Sequence, residues 1–321
     1  MPSAPPMPTA QPHPSAQASP SRAAASGPPH DRFRAARRSL GASIATIALV
    51  LVLVVNADAA TVHAANMFGS LREPGEPAFI AGHRGDRTTA PENTLPAIAA
   101  VFDSRMEFVE IDVQKSLDGE PVLIHDETVD RTTDGTGLVA ELTWAELSAL
   151  DAGSWYGREF TGARIPHFDQ FIALFRDSGK KALVELKGEW TVAEIRPLVS
   201  EIYAAGVQDR IVFASFAFAT MHHLVDAAPN LPRVIIRRDL QFDPVWLAEF
   251  YQAAAVLTRL QAVEADPGVV ARMHEAGFGL LLYTLNSEER WSEALAYGVD
   301  GIVTDEPSEL DAWLANTAPG T

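Results

Sequence analysis

Two short apolar stretches of this sequence each carry a pair of charged residues at a spacing of two. The stretch FVEIDVQ contains Glu110 and Asp112, and the stretch LVELKG contains Glu185 and Lys187. Side chains alternate between the two faces of a β-strand, so the members of each pair point the same way. Two carboxylates on one face of a buried strand are costly unless a cation lies between them. The pattern therefore predicts a metal site formed by Glu110, Asp112 and Glu185, although each charge alone would indicate only an ion pair.

The residue types near this site favour a hard divalent cation and a phosphate ester. Carboxylate oxygens in a chain without cysteine favour one Ca²⁺ or Mg²⁺ ion over a structural zinc ion. Arg84 and Lys187 are suited to bind the oxygens of a phosphate next to such an ion. His83 and His125 belong to the same part of the sequence, and histidine is the residue best suited to move protons near neutral pH. Two histidines allow one acid and one base.

A series of ordered motifs resembles the glycerophosphodiester phosphodiesterase family over about residues 78 to 312. The matching segments are His83-Arg84-Gly85, Ala90-Pro91-Glu92-Asn93-Thr94, Glu110-Ile111-Asp112-Val113, Asp118-Gly119, Val122-Leu123-Ile124-His125-Asp126, Arg131-Thr132-Thr133, Ile165-Pro166, Glu185-Leu186-Lys187, Thr284-Leu285-Asn286 and Gly298-Val299-Asp300-Gly301-Ile302-Val303-Thr304-Asp305. So many motifs in one order make the resemblance specific.

The resemblance implies metal-dependent hydrolysis of glycerophosphodiesters to an alcohol and glycerol 3-phosphate. It makes His83 the expected base and His125 the expected acid, with attack by water or by a neighbouring glycerol hydroxyl through a cyclic phosphate. Tyr283 stands where many members carry tryptophan, so we expect it in the substrate pocket, where it could stack on the alcohol. His167 stands where the family usually carries threonine, and the sequence predicts no role for it.

Two other classes of function remain open at this point. Phospholipase D-like, lysophospholipid and sphingomyelin phosphodiesterases share this architecture and a similar set of metal ligands and histidines, so a lipid substrate is an alternative to a soluble one. The second class is a non-catalytic extracytoplasmic binding or cell-wall protein. An enzyme is favoured because the main acid, base and ligand positions are all filled.

The elements that must position these residues follow an alternation of apolar runs and amphipathic stretches. Strands are expected at residues 78–82, 107–113, 182–187, 210–215, 233–237, 254–258, 279–284 and 300–304. Eight strand–helix units match the α/β class and a closed (β/α)8 TIM barrel, whose usual size is about 250 residues. An open doubly wound sheet would need a glycine-rich nucleotide loop, which the sequence lacks. In a barrel, the active site lies at the carboxyl ends of the strands.

Residues 115–166 are too long and irregular for one helical crossover, and they predict a small insertion after the second strand. The insertion includes a strand-like piece at residues 138–142 and would bring His125 over the mouth of the barrel. Before it, Asn93 or Thr94 is expected to cap the first helix and to take no part in the chemistry.

The amino-terminal part of the chain predicts export from the cytoplasm. The expected regions are a disordered Pro/Ala/Ser-rich segment at 1–38, an apolar segment at 39–57, a linker at 58–76, the barrel domain at 77–315 and a tail at 316–321. Basic residues precede the apolar segment, which is either a transmembrane anchor with a cytoplasmic amino end or a signal peptide cleaved near Ala59. Both alternatives place the barrel domain outside the cytoplasm, either anchored to the cell membrane or secreted.

The charge of the chain bears on its partners. The net charge is -17, and residues 1–70 hold five arginines against two aspartates, so the remainder carries about -20. Such an acidic domain is a poor candidate for nucleic-acid binding, which needs a basic surface. The expected partners are a small-molecule glycerophosphodiester or lysophospholipid and, where the apolar segment is retained, a membrane.

Overall fold

The computed structural model describes residues 67–317 of the chain. Its strands are β1 (Phe79–Gly82), β2 (Phe108–Lys115), β3 (Pro121–Leu123), β4 (Lys181–Leu186), β5 (Ile211–Ser215), β6 (Arg233–Ile236), β7 (Ala255–Thr258), β8 (Gly279–Leu282) and β9 (Gly301–Thr304). Its α-helices are α1 (Leu95–Phe102), α2 (Trp144–Leu147), α3 (Phe168–Phe175), α4 (Val192–Ala205), α5 (Phe218–Ala227), α6 (Pro244–Phe250), α7 (Leu260–Ala265), α8 (Val269–Glu275), α9 (Glu288–Tyr297) and α10 (Pro307–Thr317). Short 3-10 helices span Val139–Glu141, Arg158–Phe160 and Gln208–Arg210.

Eight of the strands form a closed parallel barrel. The order around the ring is β1, β2, β4, β5, β6, β7, β8 and β9, and the ring closes because β1 pairs in parallel with both β2 and β9. Every strand expected from the sequence is present, with small differences at the ends. The prediction of a TIM barrel is confirmed, and the carboxyl ends of its strands lie at one mouth.

Side chains of the barrel strands alternate between the lumen and the surrounding helices. In β2, Phe108 faces the lumen and packs on Phe79 with ring centroids 4.4 Å apart. Val109 and Ile111 face outward and join the core that the barrel shares with its helices. Glu110 and Asp112 share the face of Phe108, so they project into the lumen nearer its carboxyl mouth, as their spacing predicts.

The insertion packs beside β2 with a small core of its own. β3 pairs antiparallel with the end of β2, and Val122, Val139 and Leu147 are buried together beneath the loops. The expectation of a strand-like piece at residues 138–142 is wrong, because Val139–Glu141 form a 3-10 helix. Leu138 makes a single bridge to Thr128, so the apolar pattern here reflects burial in the insertion rather than a sheet.

Within residues 67–317, no helix has both the length and the apolar character needed to cross a bilayer. The segments predicted at residues 1–38 and 39–57 lie outside the described residues.

Candidate active site

Three buried carboxylates meet where β2 and β4 end at the mouth of the barrel. Glu110, Asp112 and Glu185 each offer an oxygen that lies within 4.8 Å of the others. The parallel pairing of the two strands explains this, because Asp112 is the register partner of Glu185. The side chains of Glu110 and Glu185 thus lie beside that of Asp112, one along the strand and one across it.

Burial makes this cluster of like charges unfavourable without a cation. Burial first, and then the charges of Asp112 and Glu185, raise the pKa of Glu110 well above its ordinary value. Burial and the charge of Asp112 raise the pKa of Glu185 to about 7. Burial would raise the pKa of Asp112 too, but Lys187, His125 and Arg84 lower it overall. Asp112 is therefore the firmly ionised member of the three.

Two basic side chains border the carboxylates. Lys187 lies with Nζ 3.1 Å from Glu185 Oε1 and 3.3 Å from Asp112 Oδ1. Arg84 places Nε 3.4 Å from Asp112 Oδ2 and donates from Nη1 to Glu92 Oε1 at 2.7 Å. Burial alone would lower the pKa of both basic groups, yet the neighbouring carboxylates raise it. Both groups stay charged and lie beside the carboxylate cluster.

The turn after β1 holds Arg84 in an unusual conformation. Arg84 has a φ of 60°, in the left-handed region that residues other than glycine rarely adopt, and its amide donates to Glu110 Oε2 at 2.8 Å. Gly85 follows with a φ of 89°, and a Cβ there would lie 2.7 Å from the backbone carbon of Ala97. The turn therefore requires glycine at position 85 and presents the Arg84 amide to a carboxylate.

Each predicted catalytic histidine is held by an aspartate through Nδ1. His83 Nδ1 lies 2.6 Å from Asp305 Oδ1, and His125 Nδ1 lies 2.7 Å from Asp126 Oδ1. Interactions with His83 lower the pKa of Asp305 although burial opposes this, and a hydrogen bond from Arg131 lowers the pKa of Asp126. Both aspartates are ionised and fix a proton on Nδ1, which leaves Nε2 of each imidazole for chemistry.

One cavity of about 1020 Å³ contains most of these groups. The predicted site residues that line it are His83, Arg84, Glu110, His125, Glu185, Lys187 and Tyr283. Asp112 lies beneath them with about 1% of its surface exposed, and its Oδ1 faces Lys187 but accepts no hydrogen bond from residues 67–317. The structure thus brings together every residue that the sequence places in the site.

Tyr283 lies on a different wall from the histidines. It packs edge-on against Phe216, with ring centroids 5.9 Å apart, and its hydroxyl is buried near the guanidinium of Arg259. Burial raises its pKa although Arg259 lowers it. This wall of the cavity presents an aromatic surface and a buried hydroxyl.

Several residues at the site were not predicted from the sequence. Asn93 donates from Nδ2 to Asp112 Oδ2 at 2.9 Å, so its side chain contacts the carboxylate cluster instead of capping the helix. The cap position of α1 belongs to Thr94, although its side chain makes no capping hydrogen bond. Glu92 binds both Arg84 and Arg131 at 2.7 Å. Both Glu92 and Asn93 belong to the family-like segment Ala90-Pro91-Glu92-Asn93-Thr94, which marks them as candidates but does not show what they contact.

His167 has a structural role. Its Nδ1 accepts from the amide of Asp169 at 3.3 Å, and its amide donates to Gln170 Oε1, so it caps α3. Its Nε2 lies 3.1 Å from Glu120 Oε2 in the insertion. An imidazole therefore caps the helix here, as a threonine hydroxyl could, and also ties the helix to the insertion.

Comparisons with known proteins find similar enzymes over most of the barrel domain. A family model described as the glycerophosphoryl diester phosphodiesterase family matches residues 83–309. A glycerophosphodiester phosphodiesterase of Caldanaerobacter subterraneus is 30% identical over 234 residues, which cover 72% of this chain and 96% of the relative.

Solved structures are similar as well. A glycerophosphodiester phosphodiesterase from Agrobacterium tumefaciens superimposes with a TM-score of 0.65 at 28% identity, covering 74% of this chain and 100% of that one. An Oleispira antarctica phosphodiesterase, solved in complex with the product sn-glycerol-3-phosphate, gives a TM-score of 0.65 at 28% identity, covering 74% of this chain and 96% of that one.

Proposed function

We propose that this chain, which belongs to the glycerophosphoryl diester phosphodiesterase family, hydrolyses glycerophosphodiesters with one bound divalent cation and two catalytic histidines. The observation that supports this most directly is the arrangement of the cavity. Three buried carboxylates and two basic groups share one site with His83 and His125, each histidine held by an ionised aspartate. Such a set can bind a phosphodiester, neutralise its charge and move two protons.

The carboxylates Glu110, Asp112 and Glu185 would hold the cation. Their fit is supported by the raised pKa of Glu110 and Glu185 and by the buried Asp112 Oδ1, which accepts no hydrogen bond within the described residues. Oxygen ligands alone are the donor set that Ca²⁺ and Mg²⁺ prefer. When bound, the ion would polarise the phosphoryl group and neutralise part of its charge.

Arg84 and Lys187 would bind the phosphate oxygens. The ammonium of Lys187 has three protons and contacts only two carboxylates, so one N–H can point at substrate. Arg84 has further donors beyond the one that binds Glu92, and it lines the same cavity. Neighbouring carboxylates partly neutralise Arg84 and Lys187 and hold both side chains in place before substrate binds.

His83 and His125 would divide the proton transfers. His83 Nε2 would accept the proton of the attacking hydroxyl, from water or from the neighbouring glycerol hydroxyl, as its oxygen bonds to phosphorus. The bond from phosphorus to the leaving oxygen breaks, and His125 Nε2 would donate a proton to that oxygen. Asp126 stays ionised beside His125 and would stabilise the imidazolium before donation. In the hydrolysis by water, the products are the free alcohol and glycerol 3-phosphate.

The substrate would be a soluble glycerophosphodiester. The similar Oleispira structure was solved with sn-glycerol-3-phosphate, the product expected here, and that likeness supports this substrate class over lysophospholipids. The enzyme would act outside the cytoplasm, anchored or exported by the apolar segment at residues 39–57, where it would meet glycerophosphodiesters released from membranes.

A screen with the full-length protein tests this function. The protein is stripped with a chelator and assayed with added Ca²⁺ or Mg²⁺ on glycerophosphocholine, glycerophosphoethanolamine and lysophosphatidylcholine. Release of glycerol 3-phosphate from the first two, restored by one of the ions, is the expected result. Turnover of lysophosphatidylcholine alone would overturn the soluble substrate class, and full activity after chelation would overturn the metal requirement.

A further inference from the structure

Three arginines line the active-site cavity on the side away from the carboxylates. Arg237 and Arg238 follow β6, and Arg259 follows β7. In the ring of eight strands, β6 lies four places from β1 and β7 lies four places from β2. The turn that holds Arg84 follows β1, and β2 carries Glu110 and Asp112. The cavity therefore has basic side chains on two walls that face each other across the barrel mouth, and only the catalytic wall also carries the three carboxylates.

These arginines differ from those of the catalytic wall in their partners. Arg84, Arg87 and Arg131 each form ion pairs with carboxylates at 3.2 Å or less. Among residues 67–317, no carboxylate lies within 4.0 Å of the guanidinium of Arg237, Arg238 or Arg259. The other arginines that form ion pairs in this part of the chain do not line the cavity.

The absence of acidic partners is unexpected in a domain with a large excess of acids, since residues beyond 70 carry about -20 of net charge. Arg237 Nε is buried without a hydrogen-bond partner in the described structure. Asp239 follows the pair and also lines the cavity, but it lies beside Gln241, whose Nε2 is 3.4 Å from it. Arg237 thus keeps a donor that the described residues do not use, and the exposed guanidiniums of Arg238 and Arg259 form no ion pair with those residues.

Stacking on aromatic rings holds two of the arginines in place. The guanidinium of Arg237 lies 4.5 Å from the ring centre of Phe218, and that of Arg238 lies 5.7 Å from the ring centre of Phe216. Stacking uses the flat face of a guanidinium, whereas its N–H groups lie in the plane and stay free for an oxyanion. The simpler explanation, that the arginines only pack on rings, accounts for the positions of Arg237 and Arg238 but not for that of Arg259 beside the same cavity.

We infer that this wall binds a second phosphate, carried on the alcohol half of the phosphodiester substrate. The inference rests on the proposed function, because it assumes that the first phosphate lies at Arg84 and Lys187. Phe216 and Tyr283 line the cavity together with both walls and would contact the carbon skeleton that joins the two phosphates. A phosphate has the charge and the oxygens to engage several guanidinium forks, whereas choline or ethanolamine would meet like charge.

A matched pair of substrates tests this inference in the full-length enzyme with its metal restored. Glycerophosphoinositol 4-phosphate and glycerophosphoinositol differ only in the second phosphate. The wild-type enzyme is expected to show a kcat/KM about tenfold or more higher for the phosphorylated compound, since charged hydrogen bonds of this kind are each worth about a factor of ten.

Variants then locate the effect. Arg238→Gln and Arg259→Gln change exposed side chains, so folding should survive, and each should lower the preference for the phosphorylated substrate by about tenfold. Turnover of glycerophosphoinositol should change by less than about threefold in either variant. Arg196→Gln, an exposed arginine on α4 away from the cavity, is the matched control and should leave the preference unchanged.

The outcomes separate this inference from the proposed function. Equal kcat/KM for the two compounds in the wild type, or an unchanged preference in both variants, would overturn the second phosphate site while leaving the phosphodiesterase activity established. Failure to hydrolyse either compound, with glycerophosphocholine also untouched, would overturn the proposed function instead. A last comparison shows whether the phosphate comes from a lipid or a soluble substrate. It sets kcat/KM for lysophosphatidylinositol 4-phosphate, below its micelle concentration, against kcat/KM for glycerophosphoinositol 4-phosphate.

Discussion

Asn93 binds Asp112 through both ends of its side-chain amide. Nδ2 donates to Asp112 Oδ2 at 2.9 Å, and Oδ1 accepts from the amide of Asp112 at 3.1 Å. The amide of Asn93 itself donates to the carbonyl of Arg84 at 2.8 Å, and both residues have positive φ, 55° and 60°. A positive φ strains residues other than glycine, so this turn needs contacts that hold it in place. The hydrogen bonds of Asn93 hold the turn and also hold the carboxylate of Asp112.

Asn93→Ala should lower kcat/KM by about 10- to 100-fold, because groups that orient a metal ligand have effects of this size. The variant leaves Asp112 Oδ2 without its amide donor and frees the carboxylate to rotate. Titration of the metal-stripped protein with Ca²⁺ or Mg²⁺ should show weaker binding by a similar factor.

Alanine also adds strain at a φ of 55°, so Asn93→Gly is the matched control. Glycine accepts this backbone conformation but lacks the amide. Equal losses of activity in the alanine and glycine variants would assign the effect to the side chain. Recovery of wild-type kcat/KM in the glycine variant would assign it to the backbone and contradict the orienting role.

Glu185→Gln should abolish the stabilisation that the cation confers on the folded protein. Metal binding to the folded state raises the free energy of unfolding, by about 2.7 kcal/mol at a metal concentration 100 times the Kd. Thermal unfolding with and without Ca²⁺ or Mg²⁺ should show this increase in Tm for the wild type but not for the variant.

Glu189→Gln, close by in sequence and exposed, is the control and should respond to metal as the wild type does. In metal-free buffer, Glu185→Gln should be at least as stable as the wild type, because it removes a charge from a buried group of like charges. An unchanged metal response in Glu185→Gln would remove Glu185 from the ligand set.

His125→Ala should lower kcat on glycerophosphocholine by about 10²- to 10⁴-fold, the usual contribution of a general acid. The p-nitrophenyl ester of glycerol 3-phosphate has a leaving group that departs without protonation, so the same variant should hydrolyse it nearly as fast as the wild type. His83→Ala should be slow on both esters, because the attacking hydroxyl still needs a base.

His222→Ala, an exposed histidine on α5, serves as the control and should leave both rates unchanged. The assignment of acid and base would be reversed if His83→Ala, and not His125→Ala, kept its activity on the activated ester.

The barrel could be predicted because short segments of the sequence carry the alternating pattern that identifies each strand. Alternation within FVEIDVQ places Glu110 and Asp112 on the lumen side, and the pairing of Asp112 with Glu185 follows once the strands are parallel neighbours. Asp305 could have been predicted in the same way, because β9 adjoins β1 in a closed barrel. His83, which follows β1, then lies beside the end of β9.

Other contacts could not be predicted from the sequence. The role of Asn93 depends on the path of a turn that folds back from Arg84, and nothing in the local pattern distinguishes this from helix capping. Leu138 and its neighbours have the apolar pattern of a strand, but a strand needs a partner, and the fold of the insertion provides a buried core instead.

Glu92 should make the protein sensitive to acid. Its side chain is 2% exposed and lies between Arg84, Arg87 and Arg131. Burial would raise its pKa, but hydrogen bonds and charges from Arg131 and Arg84 lower it to about 2 from an ordinary value of 4.5. Between these two pH values the unfolded chain binds a proton that the folded protein does not, so this stabilisation is complete above pH 4.5 and is lost as pH falls toward 2.

Glu92 alone should therefore lower the free energy of unfolding by about 2 kcal/mol between pH 6 and pH 3, and urea unfolding at the two values measures the change. Glu92→Gln should be less stable at pH 6, since it removes a carboxylate partner from three arginines, but it should lose about 2 kcal/mol less than the wild type on acidification. Glu141→Gln, at an exposed position without an ion pair among the described residues, should keep the wild-type acid response. Asp126 and Asp305 also have lowered pKa values, so the variant should keep part of its acid sensitivity. Equal losses in the wild type and Glu92→Gln would show that the carboxylate is not ionised between its arginines.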